Sequence, residues 1–324
     1  MSETPGWSSP DQQPNQPQQP YGYNAPPPPG AQPSIKPGVI PLRPLAVGEI
    51  VDGAITTMRR YPKLIIGAAA VVAAITQIIG LLVQLPFLDD LTALATLDPN
   101  AMTDQQILDQ FRDSMVGFFG GTFLSVLPLL LGTVFLSGFI TVVVGHAVLG
   151  EPVTFAQAWE EFKPRLLPLL GATLLSGLVI TVGLVFCVIP GIYLYVIFAL
   201  VTPALVLERC GVGAAFGRSN TLVKGAWWRT FGVLLLTIVI GSVISWIISL
   251  PFGLLGAAST GFSADPTAVL SVGALVLSTV GAIIASTITL PFSSAVTVLL
   301  YVDRRMRAEG MDIELQRAAG HGGL

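Results

Sequence analysis

Charge is what this sequence has least of. Asp, Glu, Lys and Arg together make up 11% of its 324 residues, against about 25% in a soluble globular domain. A water-facing surface is hard to build from so few charged groups, and a mean hydropathy of +0.73 points to lipid as the solvent for most of the chain. Nucleic acid is excluded as a partner on related grounds. The net charge is −3, and no basic run is long enough to neutralise a row of phosphates. Histidine is nearly absent, with His146 and His321 alone, too few donors for a His–carboxylate metal site. HExxH, GxSxG, the Walker A loop and CxxC are all missing. The sequence therefore offers no catalytic, cofactor-binding or metal-binding residue and does not read as an enzyme.

Cysteine is equally sparse. Cys187 and Cys210 fall near opposite faces of the bilayer in the topology derived below, about 30 Å apart, whereas a disulfide needs Cα atoms within roughly 7 Å. They read as two free, buried thiols. An apolar signal-peptide core is lacking from the first 30 residues, so the first apolar span is expected to act as a signal anchor.

What is present falls into three parts. Residues 1–40 are a Pro/Gln-rich tail that includes Pro26-Pro27-Pro28-Pro29. It has too little apolar surface to offset its ordering entropy and is expected to be disordered, with polyproline II character. Trp7, Tyr21 and Tyr23 would be its anchors if it docks a protein partner. Residues 41–318 are read as a membrane domain, and residues 319–324 as a flexible C-terminus. A spanning helix needs about 20 apolar residues. Six spans satisfy this, at about 64–87, 117–147, 166–188, 191–207, 231–256 and 268–301. The third and fourth come from one long apolar run, split at Pro190-Gly191 as a tight hairpin. The second and sixth are long, and are read as single helices that tilt, kink at Pro128 or Pro291, or protrude. The fold class is thus all-α: a polytopic six-helix transmembrane bundle with interfacial amphipathic helices.

Orientation follows from the basic residues. With the N-terminus in the cytoplasm, Lys36, Arg43, Arg59, Arg60, Lys63, Lys163, Arg165, Arg209, Arg218, Lys224, Arg229, Arg304, Arg305, Arg307 and Arg317 all lie inside. Arg112 alone lies outside, accompanied by Asp89, Asp90, Asp98, Asp104, Asp109, Asp113 and Asp265. Both termini are expected in the cytoplasm and the membrane to be the plasma membrane, with anionic lipid headgroups against the inner face. The outer segment 89–115 reads as a solvated acidic loop, since its aspartate spacing matches no EF-hand.

One design recurs three times: an amphipathic helix, a basic or aromatic boundary, then two spans. The apolar faces would be Val47, Val51, Ala54, Ile55 and Met58; then Phe155, Trp159 and Phe162; then Val212, Phe216, Val223 and Trp227. From Lys63, Arg165 and Arg229 to the proline closing each following span is 23, 25 and 22 residues. Small residues recur every four positions at Gly241, Ser245 and Ser249, at Ala274, Ser278, Ala282 and Ser286, and at Gly117 and Gly121. Such stripes let helices approach closely within the bundle, or alternatively across a homo-oligomer interface. The predicted spans hold no ionisable residue except His146, read as a hydrogen-bonded interfacial group rather than a proton relay.

Several segments resemble a family of bacterial, especially actinobacterial, membrane proteins. They are Arg43-Pro44-Leu45-Ala46-Val47-Gly48-Glu49-Ile50-Val51-Asp52-Gly53-Ala54, Ile189-Pro190-Gly191-Ile192-Tyr193, Thr202-Pro203-Ala204-Leu205, and Tyr301-Val302-Asp303-Arg304-Arg305-Met306-Arg307 followed by Asp312-Ile313-Glu314-Leu315. Together they look like the glycerophosphoryl diester phosphodiesterase membrane-domain family, over roughly residues 42–318. The catalytic barrel that names the family, with its His-Arg and Glu-x-Asp elements, is lacking. The resemblance therefore implies fold and plasma-membrane location and transfers no catalytic residue. The sequence favours a non-enzymatic membrane scaffold or accessory protein. The alternative is a lipid or small-solute transporter, which a continuous cavity among the spans would favour and a filled interior would disfavour.

Overall fold

The computed structural model describes residues 38–41, 43–88, 92, 103–259 and 271–310, all within one compact unit, Ile35–Leu324. The predicted disorder of the tail, its Trp7, Tyr21 and Tyr23 anchors, and the C-terminal Asp312–Leu315 motif lie outside the described residues. The tail boundary moves, however. Val39 and Ile40 are buried, and the Val39 N–H donates to the Ala147 carbonyl at 3.1 Å, so the packed domain begins before residue 41.

Apolar composition and capping chemistry together explain the helices. α1 (Val47–Arg60) opens with the Ala46 N–H donating to Glu49 at 2.7 Å. α2 (Pro62–Gln84) starts on a proline, which loses nothing at the first helical position, and tightens at Leu85–Phe87. α3 (Asp104–Leu149) is capped by Thr103, whose hydroxyl accepts from the Gln106 N–H while Gln106 accepts from the Thr103 N–H. This capping box starts the helix well before residue 117, so the second half of the expected 89–115 loop is helical. Its 46 residues reach about 69 Å at 1.5 Å per residue, more than twice the hydrocarbon thickness. α3 ends at Gly150, whose φ of 79° needs no Cβ. A second Thr/Gln box, Thr154 with Gln157, opens α4 (Phe155–Phe162), which runs through Lys163–Arg165 into α5 (Leu166–Phe186).

The hairpin turns three residues earlier than expected. Extended backbone at Cys187 separates α5 from α6 (Val188–Phe198). Pro190 falls in the first turn of α6, where its missing N–H is harmless, and Gly191 lies so close to Leu184 that a Cβ would sit 2.5 Å from it. The fourth span is not one helix. It breaks after α6, and α7 (Val201–Leu207) follows. Pro203 provides the reason, since it cannot donate to the carbonyl four residues back. The Ile197 carbonyl, one residue before the end of α6, accepts from the Ser219 hydroxyl. α8 (Val212–Lys224), α9 (Trp227–Ser259) and α10 (Val272–Glu309) complete the chain. Among the described residues, six stretches are long and apolar enough to cross a membrane: Pro62–Phe87, Asp104–Leu149, Phe155–Phe186, Val188–Leu207, Trp227–Ser259 and Val272–Glu309. The chain is a multi-pass α-helical membrane protein, with no strand among the described residues.

α10 is the hub, packing on α9, α2, α3 and α1, while α3 packs on α2, α4, α5 and α7. The core is one-sided. Phe139, Ile140, Leu205, Leu299 and Tyr301 are fully buried at the end where the arginines gather, here the basic end. At the opposite, acidic end Val185 and Phe186 are 78% and 86% exposed, as lipid-facing residues should be.

Three expected faces shift. α1 buries Ile50, Gly53, Ala54, Thr57 and Met58, leaving Ile55 exposed. In α4, Ala158 and Phe162 go in and Phe155 stays at the surface against Phe139. In α8, Ala215, Ser219, Leu222 and Val223 go in. Of the small-residue positions, Gly121 admits Phe87 at contact distance, but Gly241 has nothing within 4 Å of where a Cβ would be. Within the spans, Gly132 lies tight against Thr76 and Gly138 against Phe162, neither in the expected stripes.

Candidate functional site

Two polar features occupy the basic half of the bundle: an ionic layer at its end and, deeper, a group of hydroxyl-lined cavities.

The ionic layer is built on two carboxylates. Asp303, near the end of α10, is 0% exposed. It accepts from the Leu45 N–H at 2.8 Å, from Arg307 Nε at 2.9 Å and from Arg229 Nη2 at 3.1 Å. Arg229 and Arg307 also donate to the Leu45 carbonyl, at 2.6 and 2.8 Å respectively. One buried acid thus ties the strap before α1 to the start of α9 and the end of α10. Two of the motif segments, Arg43–Ala54 and Tyr301–Arg307, meet at this node. Glu208, after α7, forms the second centre. It accepts from Arg218 Nε at 2.7 Å and from the Tyr301 hydroxyl, while Arg218 also bonds Glu309. Burial works against the charge on Arg218, but Glu208 and Glu309 more than offset it and raise its pKa further. Burial and the Glu208 carboxylate likewise push up the Cys210 thiol.

His146, the one ionisable residue expected in a span, sits at this end. Its ring nitrogens lie 3.0 Å from Glu151 and 3.1 Å from Glu161. Both contacts are hydrogen bonds only when both nitrogens carry hydrogen. Sequence reasoning missed Asp303, Glu208 and the Leu45 backbone. The available signal was a lone aspartate followed by Arg304, Arg305 and Arg307 directly after an apolar span.

Above this layer the interior is not filled. A cavity of about 240 Å³ is lined by Ser137 and Thr141 of α3, Tyr195 of α6, Thr202 of α7, and Ser293 and Thr297 of α10. It lies at the α6–α7 break, which exposes Ala199 and Pro203 to it. A neighbouring cavity of about 200 Å³ shares Ser137, Thr202, Ser293 and Ser294 and adds Thr133 and Thr173. A third, of about 430 Å³, shares Leu290 and Ser293 and extends along Thr237, Gly241, Ser242 and Ser245 of α9. Each is far larger than the roughly 15 Å³ that admits a water. Among the described residues, no Asp, Glu, Lys, Arg or His lines any of the three. Tyr195 in the wall of the first is 41% exposed.

Hydroxyls in apolar helices commonly satisfy themselves on the preceding turn. Thr141 and Thr297 do so, donating to the Ser137 and Ser293 carbonyls at 2.6 and 2.9 Å. Among the described residues, the hydroxyls of Tyr195, Thr202, Ser293 and Ser294 have no partner in the protein.

A domain family of unknown function, DUF7847, matches residues 124–303, more than half of the chain. The chain belongs to this family. Every residue lining the three cavities falls inside the DUF7847 segment, and so does Asp303, which closes it. α1, α2 and the Leu45 strap lie outside it. No curated protein and no solved structure matches the chain.

Proposed function

We propose that the chain is a plasma-membrane transporter for a small, uncharged, hydroxyl-bearing solute or lipid moiety, acting without covalent chemistry. The observation that carries this reading is the group of unpartnered hydroxyls around a charge-free volume within the spans. A hydroxyl moved from water into an apolar medium without a partner is penalised by about 1–3 kcal/mol on mutational scales. Tyr195, Thr202, Ser293 and Ser294 converge on one connected space, where a polar occupant would satisfy several at once. The scaffold reading, which the sequence alone favours, gives these groups no role. The broken α6–α7 pair supports passage, because irregular backbone at membrane depth is tolerated where it lines a cavity. The resemblance to the glycerophosphoryl diester phosphodiesterase membrane domain is compatible, since a glyceryl group is such a moiety.

The proposal includes sidedness: the basic end faces the cytoplasm, and both termini lie there. The support is the gathering of Arg165, Arg209, Arg218, Arg229 and Arg304 at one end of the bundle, as the positive-inside rule requires.

Purified full-length protein in liposomes tests the function. Glycerol and erythritol uptake, followed by light scattering, is expected to exceed that of empty vesicles and to fall when Thr202→Val and Ser293→Val are combined. Scrambling of a fluorescent glycerolipid is measured in the same vesicles. Movement of neither solute nor lipid above the protein-free rate would overturn the proposal.

A further inference from the structure

A separate groove of about 300 Å³ opens at the basic end, one helical turn beyond the hydroxyl-lined cavities. Its wall is apolar: Val142, Val148 and Leu149 of α3, Val206 and Leu207 of α7, and Val302 of α10. Its rim is ionic and carries His146, Glu161, Arg209 and Arg305. The groove is therefore amphiphilic, with hydrocarbon on one side and charge on the other, where the bundle meets the headgroup region.

One rim cation, Arg209, is left loosely paired, and Arg165 lies beside it, just outside the groove lining. Arg165 Nη1 donates to the Arg209 carbonyl at 3.4 Å and, among the described residues, meets no carboxylate. Arg209 has Glu161 as its nearest carboxylate, at 3.9 Å, and its side chain is 68% exposed. Its φ of 53°, unusual for a residue with a Cβ, holds it at the mouth. Arg305 is shared between Glu309 at 3.0 Å and Glu208 at 3.6 Å. Against these cations stand Glu161, turned mainly to His146 at 3.1 Å, and Glu151, turned to the same ring at 3.0 Å. With both acids beside the imidazole ring, Arg209 is the cation left exposed at the mouth, and Arg165 sits against its backbone. An anion is the complement of that rim, and an acyl chain is the complement of the valine and leucine wall.

We propose that this groove is a binding site for one phospholipid with an anionic headgroup. The phosphate pairs with Arg209 and Arg165, and the first acyl carbons lie along Val206, Leu207 and Val302. Placing that lipid in the cytoplasmic leaflet rests on the sidedness proposed above; the site itself does not.

Full-length protein in nanodiscs of phosphatidylcholine mixed with phosphatidylglycerol tests it, with lipid retention after extraction read by native mass spectrometry. Wild type is expected to retain phosphatidylglycerol in preference to phosphatidylcholine. Each arginine removed, by Arg165→Gln or Arg209→Gln, should weaken retention about fivefold, in line with the contribution of a basic side chain near an anionic surface. Glu161→Gln should strengthen it, which a mere folding defect would not do. Equal retention of the two lipids by wild type would overturn the proposal, as would unchanged retention by the double arginine variant. Displacement of the lipid by an equal concentration of soluble glycerol 3-phosphate would also overturn it, because the apolar wall would then contribute nothing. Retention is read without reference to flux or orientation, so failure of the transport reading leaves this test intact.

Discussion

Leu45 and Asp303, 258 positions apart, are joined by a 2.8 Å hydrogen bond from the Leu45 N–H to the Asp303 carboxylate, with neither side chain reaching solvent. The bond matters because the carboxylate also pairs with Arg229 and Arg307, which return to the Leu45 carbonyl. The N-terminal strap is thereby part of the bundle rather than an appendage to it.

Asp303→Ala is expected to destabilise the full-length protein in detergent by roughly 2–3 kcal/mol. Breaking a fully buried ion pair costs about 3–5 kcal/mol, and the value is reduced here because Arg229 and Arg307 remain 29% and 33% exposed. Asp303→Asn keeps an acceptor for Leu45 and should lose less. Thermal unfolding measures the effect, and protease sensitivity around residues 38–46 should rise with it. An unchanged melting temperature and cleavage pattern would show that the strap is held by other contacts.

Two glycines should respond in opposite ways. At Gly138 a Cβ would lie 2.2 Å from Phe162 and 2.7 Å from Leu169, both fully buried. Gly138→Ala should therefore cost about 1–3 kcal/mol, as overpacking does. At Gly241 nothing lies within 4 Å, so Gly241→Ala should be neutral or gain up to about 1 kcal/mol of helix propensity. The two melting temperatures, compared with wild type, decide it.

Two hydroxyls form a second pair. Thr230 is fully buried and its Oγ1 has no partner, so Thr230→Val should leave stability unchanged or raise it. The Ser219 hydroxyl serves the Ile197 carbonyl just before the α6–α7 break. Ser219→Ala removes that partner from a buried carbonyl, and a loss of about 1–3 kcal/mol is expected. If Ser219→Ala proved as mild as Thr230→Val, another group would have to satisfy the break.

Cys210 gives a pH readout. Burial and Glu208 raise its pKa, so the thiolate is scarcer than in an ordinary cysteine at the same pH. In a Cys187→Ala background, maleimide labelling should be slow near neutral pH and reach its plateau at higher pH than for a free thiol. Glu208→Gln removes one of the two causes and should shift the profile down. A rate–pH curve matching that of a free cysteine would contradict the described environment.

The sequence by itself determined the class of this protein. Scarce charge, six apolar runs and basic residues confined to alternate connections leave an α-helical membrane bundle as the one way to satisfy the backbone in lipid. Two helix starts that hydropathy passed over, at Thr103 with Gln106 and Thr154 with Gln157, rest on capping boxes, each a local interaction of four residues. Tertiary structure alone decided which helices touch and what lies between them. Periodicity names an apolar face but not its neighbour, so Gly138 rather than Gly241 became the close contact. The Asp303 node joins groups hundreds of residues apart, and no local pattern encodes that. The cavity hydroxyls on α3, α6, α7 and α10 look, one helix at a time, like ordinary serines and threonines of a span. They become a site only where the break before Pro203 brings Tyr195 and Thr202 to the same space as Ser293.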